Sequence, residues 1–143
     1  MRFWDSSALV PLLLEEPTSP SILAEYFRDP EQIAWWATGI ECVSALARAE
    51  REGRLAPAVM ADAVGRLEAL ELAWAEVQPT DQLRELAVRL LRVHALRASD
   101  ALQLAAALVA AEGHPGWLTL VSLDERLALA AEREGLRVVG PAA

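Results

Sequence analysis

The chain is 143 residues long and 54% hydrophobic, with a formal net charge of −8. That size and apolar content support one domain with a buried core and exclude a disordered chain. The longest charge-free stretches, Ala101 to Ala111 and Gly113 to Leu123, fall far short of a membrane span.

All the basic side chains apart from His94 and His114 are arginine. Chemistries that need a lysine ammonium group, among them Walker A loops, Schiff-base catalysis and Ser-Lys pairs, are therefore excluded. Cys42 is the single cysteine, which rules out an internal disulfide and a thiolate-rich zinc site. The N-terminus leads straight into an apolar run with no basic leader, so a cytoplasmic location is expected. The negative balance counts against a broad passive phosphate-binding face, which carries a basic footprint. Contact with nucleic acid would need metal assistance.

Met1 to Trp4 reads as a strand closed by Asp5. A short helix continues from Asp5-Ser6-Ser7 through Leu9 to Glu16 and stops before Pro17. A second helix runs from Ser21 to Arg28, with Pro20 at its first position. Ile33 to Ala37 is an apolar strand whose adjacent tryptophans, Trp35 and Trp36, must face opposite ways. That pattern predicts cover on both faces. Thr38-Gly39-Ile40-Glu41 has the form of a capping box, opening a helix that runs to Gly53. Pro57 starts another over Ala58 to Ala73. Glu76 to Gln78 is a weak, polar strand, and Thr80 caps the helix striped by Leu83, Leu86, Leu90 and Leu91. Ser99 is the expected cap of a helix from Ala101 to Glu112. The apolar Trp117 to Leu123 segment is followed by Ser122-Leu123-Asp124-Glu125, a second capping-box pattern. Its helix ends at Gly135, before a final strand from Leu136 to Gly140. This alternation predicts a three-layer α/β/α sandwich on a mainly parallel sheet, with residues 1–143 forming a single domain.

Four acids, Asp5, Glu41, Asp100 and Asp124, stand where helices begin, three of them next to apolar strands. In an open parallel sheet the carboxyl ends of the strands share one edge, where ligands bind. Carboxylates gathered there without lysine suit a hard cation such as Mg²⁺. Each acid also has a structural explanation, since negative charge at a helix N-terminus is favourable by about 0.3–1 kcal/mol. Asp81 and Asp62 have comparable placements. The surroundings separate the cases. Asp5 ends a very apolar strand, and Asp100 opens a helix apolar almost all round, where a buried acid needs a cationic partner. Asp81 follows a polar strand that reads as a sheet edge.

Four blocks in order resemble the PIN-domain ribonucleases, and among them the VapC-type toxins of toxin–antitoxin pairs. They are Asp5-Ser6-Ser7-Ala8-Leu9-Val10, Ile40 to Arg48 around Glu41, Leu96-Arg97-Ala98-Ser99-Asp100-Ala101-Leu102-Gln103-Leu104-Ala105, and Val121-Ser122-Leu123-Asp124-Glu125-Arg126-Leu127 through Gly135-Leu136. The resemblance covers nearly the whole chain. It implies a parallel PIN-like sheet with the first strand central, and it places Asp5, Glu41, Asp100 and Asp124 in the four acidic active-site positions.

The activity so implied is Mg²⁺- or Mn²⁺-dependent endoribonuclease hydrolysis of single-stranded or structured RNA. Asp5 and Asp100 are the expected principal metal ligands, with Glu41 and Asp124 completing the shell directly or through water. Ser6 is expected first as a cap hydroxyl, and is otherwise a candidate to hold the Asp5 carboxylate or a phosphate. Arg97, three residues before Asp100, is a candidate to pair with an acid or with substrate, or else a solvated charge. Arg48, Arg51 and Arg54 recur at spacings of three but are mixed with Glu50 and Glu52, so a solvated face is expected. His94 and His114 have no partner at metal-ligand spacing.

Phosphatases and receiver domains that place an aspartate after the first strand also need a lysine, which this chain lacks. Two alternatives stay open: a PIN-fold RNA-processing nuclease without an antitoxin, and a non-catalytic acidic module that docks an arginine-rich partner. The toxin reading implies a cognate antitoxin with a basic inhibitory segment, and a homodimer that the apolar Leu12-Leu13-Leu14 would permit.

Overall fold

A computed structural model describes residues 1–140. The elements are β1 (Arg2–Trp4), α1 (Ser6–Leu13), α2 (Ser19–Tyr26), β2 (Gln32–Trp35), α3 (Thr38–Arg51), α4 (Pro57–Ala73), β3 (Ala75–Val77), α5 (Asp81–Val93), α6 (Ala98–Ala110), β4 (Thr119–Val121), α7 (Glu125–Arg133) and β5 (Arg137–Val139). Their kinds and order are those expected from the sequence. The five strands pair in parallel in the order β3-β2-β1-β4-β5, with β1 at the centre.

Alternation along β1 and β4 divides the core into two layers. Phe3 and Leu120 face α5, α6 and α7, where Leu83, Leu90, Leu104 and Leu127 are buried. Trp4 and Val121 face the opposite side, covered by α1 to α4 through Leu9, Leu13, Leu46 and Leu67. Burial on both faces is why these strands read as continuous apolar runs. Gln32 is a buried polar exception, and its hydrogen bonds account for it. Its Oε1 accepts from Trp4 Nε1, and its Nε2 donates to the carbonyls of Tyr26 and Asp29.

The chain leaves β1 for β2 and β3 on one side, then crosses back to add β4 and β5 on the other. The strand order therefore reverses between β1 and β4, and a crevice opens at their carboxyl ends. Asp5 and Asp124 flank that reversal.

Several local expectations differ. The first helix begins at Ser6 and ends at Leu13, with Pro11 inside it. Pro11 leaves one main-chain bond of the helix unmade, and the helix ends where Leu14 turns extended. β2 stops at Trp35 because Ala37 already has helical dihedrals, and Trp36 turns outward with 49% of its surface exposed. Trp35 is buried, so only one of the two tryptophans is covered, and their rings meet edge-on with centroids 6.4 Å apart. Leu13 is fully buried, and Leu12 and Leu14 are partly buried against the α1–α4 core. β3 is an edge strand, as its polarity suggested. Among the described residues, no helix is long and apolar enough to cross a membrane.

Candidate active site

Asp5, Glu41, Asp100 and Asp124 all line one open cleft of about 440 Å³ at the carboxyl edge of the sheet, together with Ser6, Ser7, Ser44, Arg48, Arg97 and Ser99. The backbone brings each acid there by a different route.

Asp5 follows the central strand and is the N-cap of α1, its side chain accepting from Ser7 N. Its surface is 4% exposed. The same oxygen, Oδ2, also accepts from the hydroxyls of Ser7 and Ser122, the latter at 2.9 Å. Burial pushes the Asp5 carboxyl above its ordinary value; the Ser7 and Ser122 bonds pull the other way, and the nearby Asp100 charge adds to the rise.

Ser122 follows β4, and its hydroxyl lies 3.3 Å from that of Ser7 and takes part in two further contacts. While its hydroxyl donates to Asp5, its oxygen accepts from Asp124 N at 3.1 Å. It therefore does not cap α7 in the expected capping box. Asp124 is itself the N-cap, with Oδ1 accepting from Leu127 N at 2.9 Å and Oδ2 left toward the cleft. The Thr38 capping box is also absent. Ala37 is the N-cap of α3, and Thr38 is buried against Gln103, whose Nε2 donates to Thr38 Oγ1.

Glu41 lies in the first turn of α3 and accepts from Gln103 Nε2 at 2.7 Å. Burial raises its carboxyl above the ordinary value, bonds from Gln103 and Ser6 oppose this, and the charges of Asp5 and Asp100 raise it further. Ser6 lines the cleft beside Glu41, while Ser7 and Ser122 hold Asp5. Gln103 had a legible signal: it is an amide within the apolar run Leu102 to Leu108, and a buried amide requires partners.

Asp100 is 6% exposed and lies in the first turn of α6. Arg97, not Ser99, is the N-cap of this helix, and its backbone N–H donates back to Asp100 Oδ2 at 3.4 Å. The Arg97 side chain supplies the partner that a buried acid needs. Its Nε is 3.2 Å from Asp100 Oδ2, and its Nη2 is 3.5 Å from Asp124 Oδ2. Arg48, expected on a solvated face, also borders the cleft. His94 pairs with the carboxylate of Glu134 at 2.8 Å outside the cleft, joining α5 to the end of α7. His114 stacks on Trp117.

The donor set, four carboxylates with arginine as the only cationic side chain beside them, matches the chemistry of a hard divalent ion. Among the described residues, however, no three acidic, histidine or cysteine side chains are already gathered closely enough to hold one. Their present hydrogen bonds explain this, since Gln103 holds Glu41, the two serines hold Asp5, and Arg97 holds Asp100 and Asp124.

No protein-family model matches the chain. Ribonuclease VapC45 of Mycobacterium tuberculosis (strain CDC 1551 / Oshkosh) is 35% identical over 136 residues, spanning 95% of this chain and 92% of that protein. Among solved structures, M. tuberculosis VapC20, described as a sarcin-ricin loop cleaving toxin, superposes with a TM-score of 0.69 at 17% identity, covering 91% of this chain and 95% of that one. A toxin–antitoxin complex from Klebsiella pneumoniae contains a chain that superposes with a TM-score of 0.66 at 17% identity, covering 99% of this chain and 98% of the other. The parallel sheet and its acidic edge define a PIN-type fold. The chain belongs to the VapC ribonuclease family.

Proposed function

We propose that this protein is a divalent-metal-dependent endoribonuclease acting in the cytoplasm as the toxin of a toxin–antitoxin pair, and that RNA is cleaved in the acidic cleft. The observation that carries the reading is the convergence of Asp5, Glu41, Asp100 and Asp124 on one cleft, with Asp5 and Asp100 buried. Anions held together in this way are stabilised by a cation.

Asp5 and Asp100 are the proposed principal ligands, being the most buried acids and fixed at helix starts. Glu41 and Asp124 complete the set. When bound, Mg²⁺ or Mn²⁺ supplies water activation and neutralises charge on the phosphoryl oxygens. The side chains do the rest. Ser7 and Ser122 fix the Asp5 carboxylate, and Gln103 aims Glu41. Glu41 or Asp124 accepts the proton of the attacking water. The water oxygen bonds to phosphorus, one P–O ester bond breaks, and the departing oxygen takes a proton.

The test is cleavage of single-stranded RNA with added Mg²⁺ or Mn²⁺ and with EDTA. Metal-restored cleavage that EDTA abolishes is expected. Full activity after verified metal removal would reject the site.

A homodimer is part of the proposal. With Leu12 to Leu14 used in the core, exposed Val88 and Leu91, three residues apart on α5, offer an apolar patch. Light scattering on wild type and a Val88→Glu, Leu91→Glu variant distinguishes dimer from monomer.

A further inference from the structure

We propose that Arg97 is an exchangeable cation of this site: it neutralises Asp100 and Asp124 when no divalent ion is bound, and transfers to the RNA phosphate when one is. The inference rests on the metal-dependent reading above and assigns a positioning role within it.

The geometry of Arg97 is that of a stand-in for a metal. One guanidinium touches two carboxylates that are 24 positions apart in sequence, contributed by α6 and by the start of α7. It uses Oδ2 of each. For Asp100, that oxygen is the one engaged by both the Arg97 side chain and its backbone N–H. A divalent ion that needs the Oδ2 lone pairs must displace the side chain. Arg48 also borders the cleft, yet its guanidinium makes none of the ion pairs formed among the described residues. The exchange is therefore specific to Arg97.

Displacement is easy and short. The Arg97 side chain is 69% exposed, whereas that of Asp100 is 9% exposed. Only the head of the side chain is tethered, so release frees rotamers and exposes no core surface. The backbone of Arg97 is fixed as the N-cap of α6, so the freed guanidinium stays at the cleft wall. Arg97 lines the same cleft as Asp5 and Asp100, so a phosphate drawn to an ion that those acids would hold would share the cleft with this side chain. The planar fork matches two phosphoryl oxygens, which a carboxamide cannot do and an ammonium does only as a point charge.

The exchange predicts effects of opposite sign from one substitution. Arg97→Gln removes the competing charge, so Mn²⁺ measured by titration calorimetry should bind more tightly, by about threefold, the scale of an exposed ion pair. At saturating Mn²⁺, the same variant should cleave a random-sequence single-stranded RNA pool more slowly, by about tenfold, through loss of a charge-assisted phosphate contact. Arg97→Lys should keep near-wild-type Mn²⁺ affinity and recover part of the cleavage. A residue that merely supports the fold would weaken both measurements together.

Unchanged or weaker Mn²⁺ binding in Arg97→Gln, or unchanged cleavage at saturation, overturns the exchange while leaving the metal-dependent reading intact. A wild-type protein that neither binds Mn²⁺ nor cleaves the pool overturns both.

Discussion

The Ser122 hydroxyl donates to Asp5 Oδ2 at 2.9 Å, joining the ends of β4 and β1 across 117 positions of sequence. These two strands flank the reversal of strand order, and the bond reaches from buried Ser122 to an acid that lines the cleft. Ser122→Ala removes a donor from a buried carboxylate and an acceptor from Asp124 N. A loss of about 1–3 kcal/mol in stability at neutral pH follows from leaving such groups unpaired. Urea denaturation measures it. Mn²⁺ affinity should fall as well, because Asp5 then has one less bond fixing its orientation.

Asp5→Asn should abolish cleavage and yet stabilise the metal-free protein. Burial raises the folded-state value of Asp5 above its ordinary one, so between the two values the folded chain binds the proton better than the unfolded chain. Stability from that proton is fully present below the ordinary carboxylate range and is lost as pH rises through the raised value. Melting curves in EDTA should therefore decline for wild type as pH rises out of the acid range, with a smaller decline for Asp5→Asn. Added Mg²⁺ should raise the melting temperature of wild type at neutral pH and leave the variant nearly unmoved. A variant that cleaves at the wild-type rate would reduce Asp5 to a helix cap.

The order of elements was legible because each strand buried on both sides is an apolar run, and each helix carries its own stop or start, as at Pro57, Thr80 and Gly135. The acids were legible because few positions combine a strand end, an apolar setting and a negative charge. The contacts that aim them were not. Ser6 and Ser7 are adjacent and chemically identical, and only the turn of α1 makes Ser7 the one whose hydroxyl reaches Asp5. Thr38 and Ser122 each matched a capping-box pattern, but their hydroxyls point across the fold to partners far away in sequence. A local pattern cannot reveal a competing distant partner.

Gln103 illustrates the same point and gives a further prediction. Its amide donates to both Glu41 Oε2 and Thr38 Oγ1 from within an otherwise apolar helix. Gln103→Leu should cost about 1–3 kcal/mol, since it leaves a half-buried carboxylate and a buried hydroxyl without that donor. Cleavage should fall too, because Glu41 loses its aim. Gln103→Glu should be worse in metal-free protein at neutral pH, as it sets a second carboxylate against Glu41. If added Mg²⁺ narrows the gap between Gln103→Glu and wild type, the defect is electrostatic.

Away from the cleft, Glu134 sets an acid limit on stability. Burial pushes its carboxyl up, but Arg89 and His94 outweigh this, and the net shift is downward. Its stabilising contribution is present above the ordinary glutamate value and is lost as pH falls through the lowered one. Glu134→Gln should therefore be less stable than wild type at neutral pH, with the difference closing in acid. Melting temperatures across that range measure it. An unchanged difference at every pH would mean that the ion pairs contribute nothing there.

The antitoxin proposed for this protein should act on the same charges. Arg97 already demonstrates that Asp100 and Asp124 together accept a guanidinium. A basic segment of a partner can add further arginine or lysine among Asp5, Glu41, Asp100 and Asp124, supplying charge where metal would bind. Co-expression with a small neighbouring gene, followed by pull-down, identifies the partner. Inhibition should weaken as Mg²⁺ is raised, and should be lost when the partner's basic residues are replaced. It should also weaken in Asp124→Asn, which removes one of the accepting charges but leaves the α7 N-cap oxygen in place. Inhibition that is insensitive to Mg²⁺ and to all these substitutions would mean that the partner blocks the cleft by bulk and not by charge.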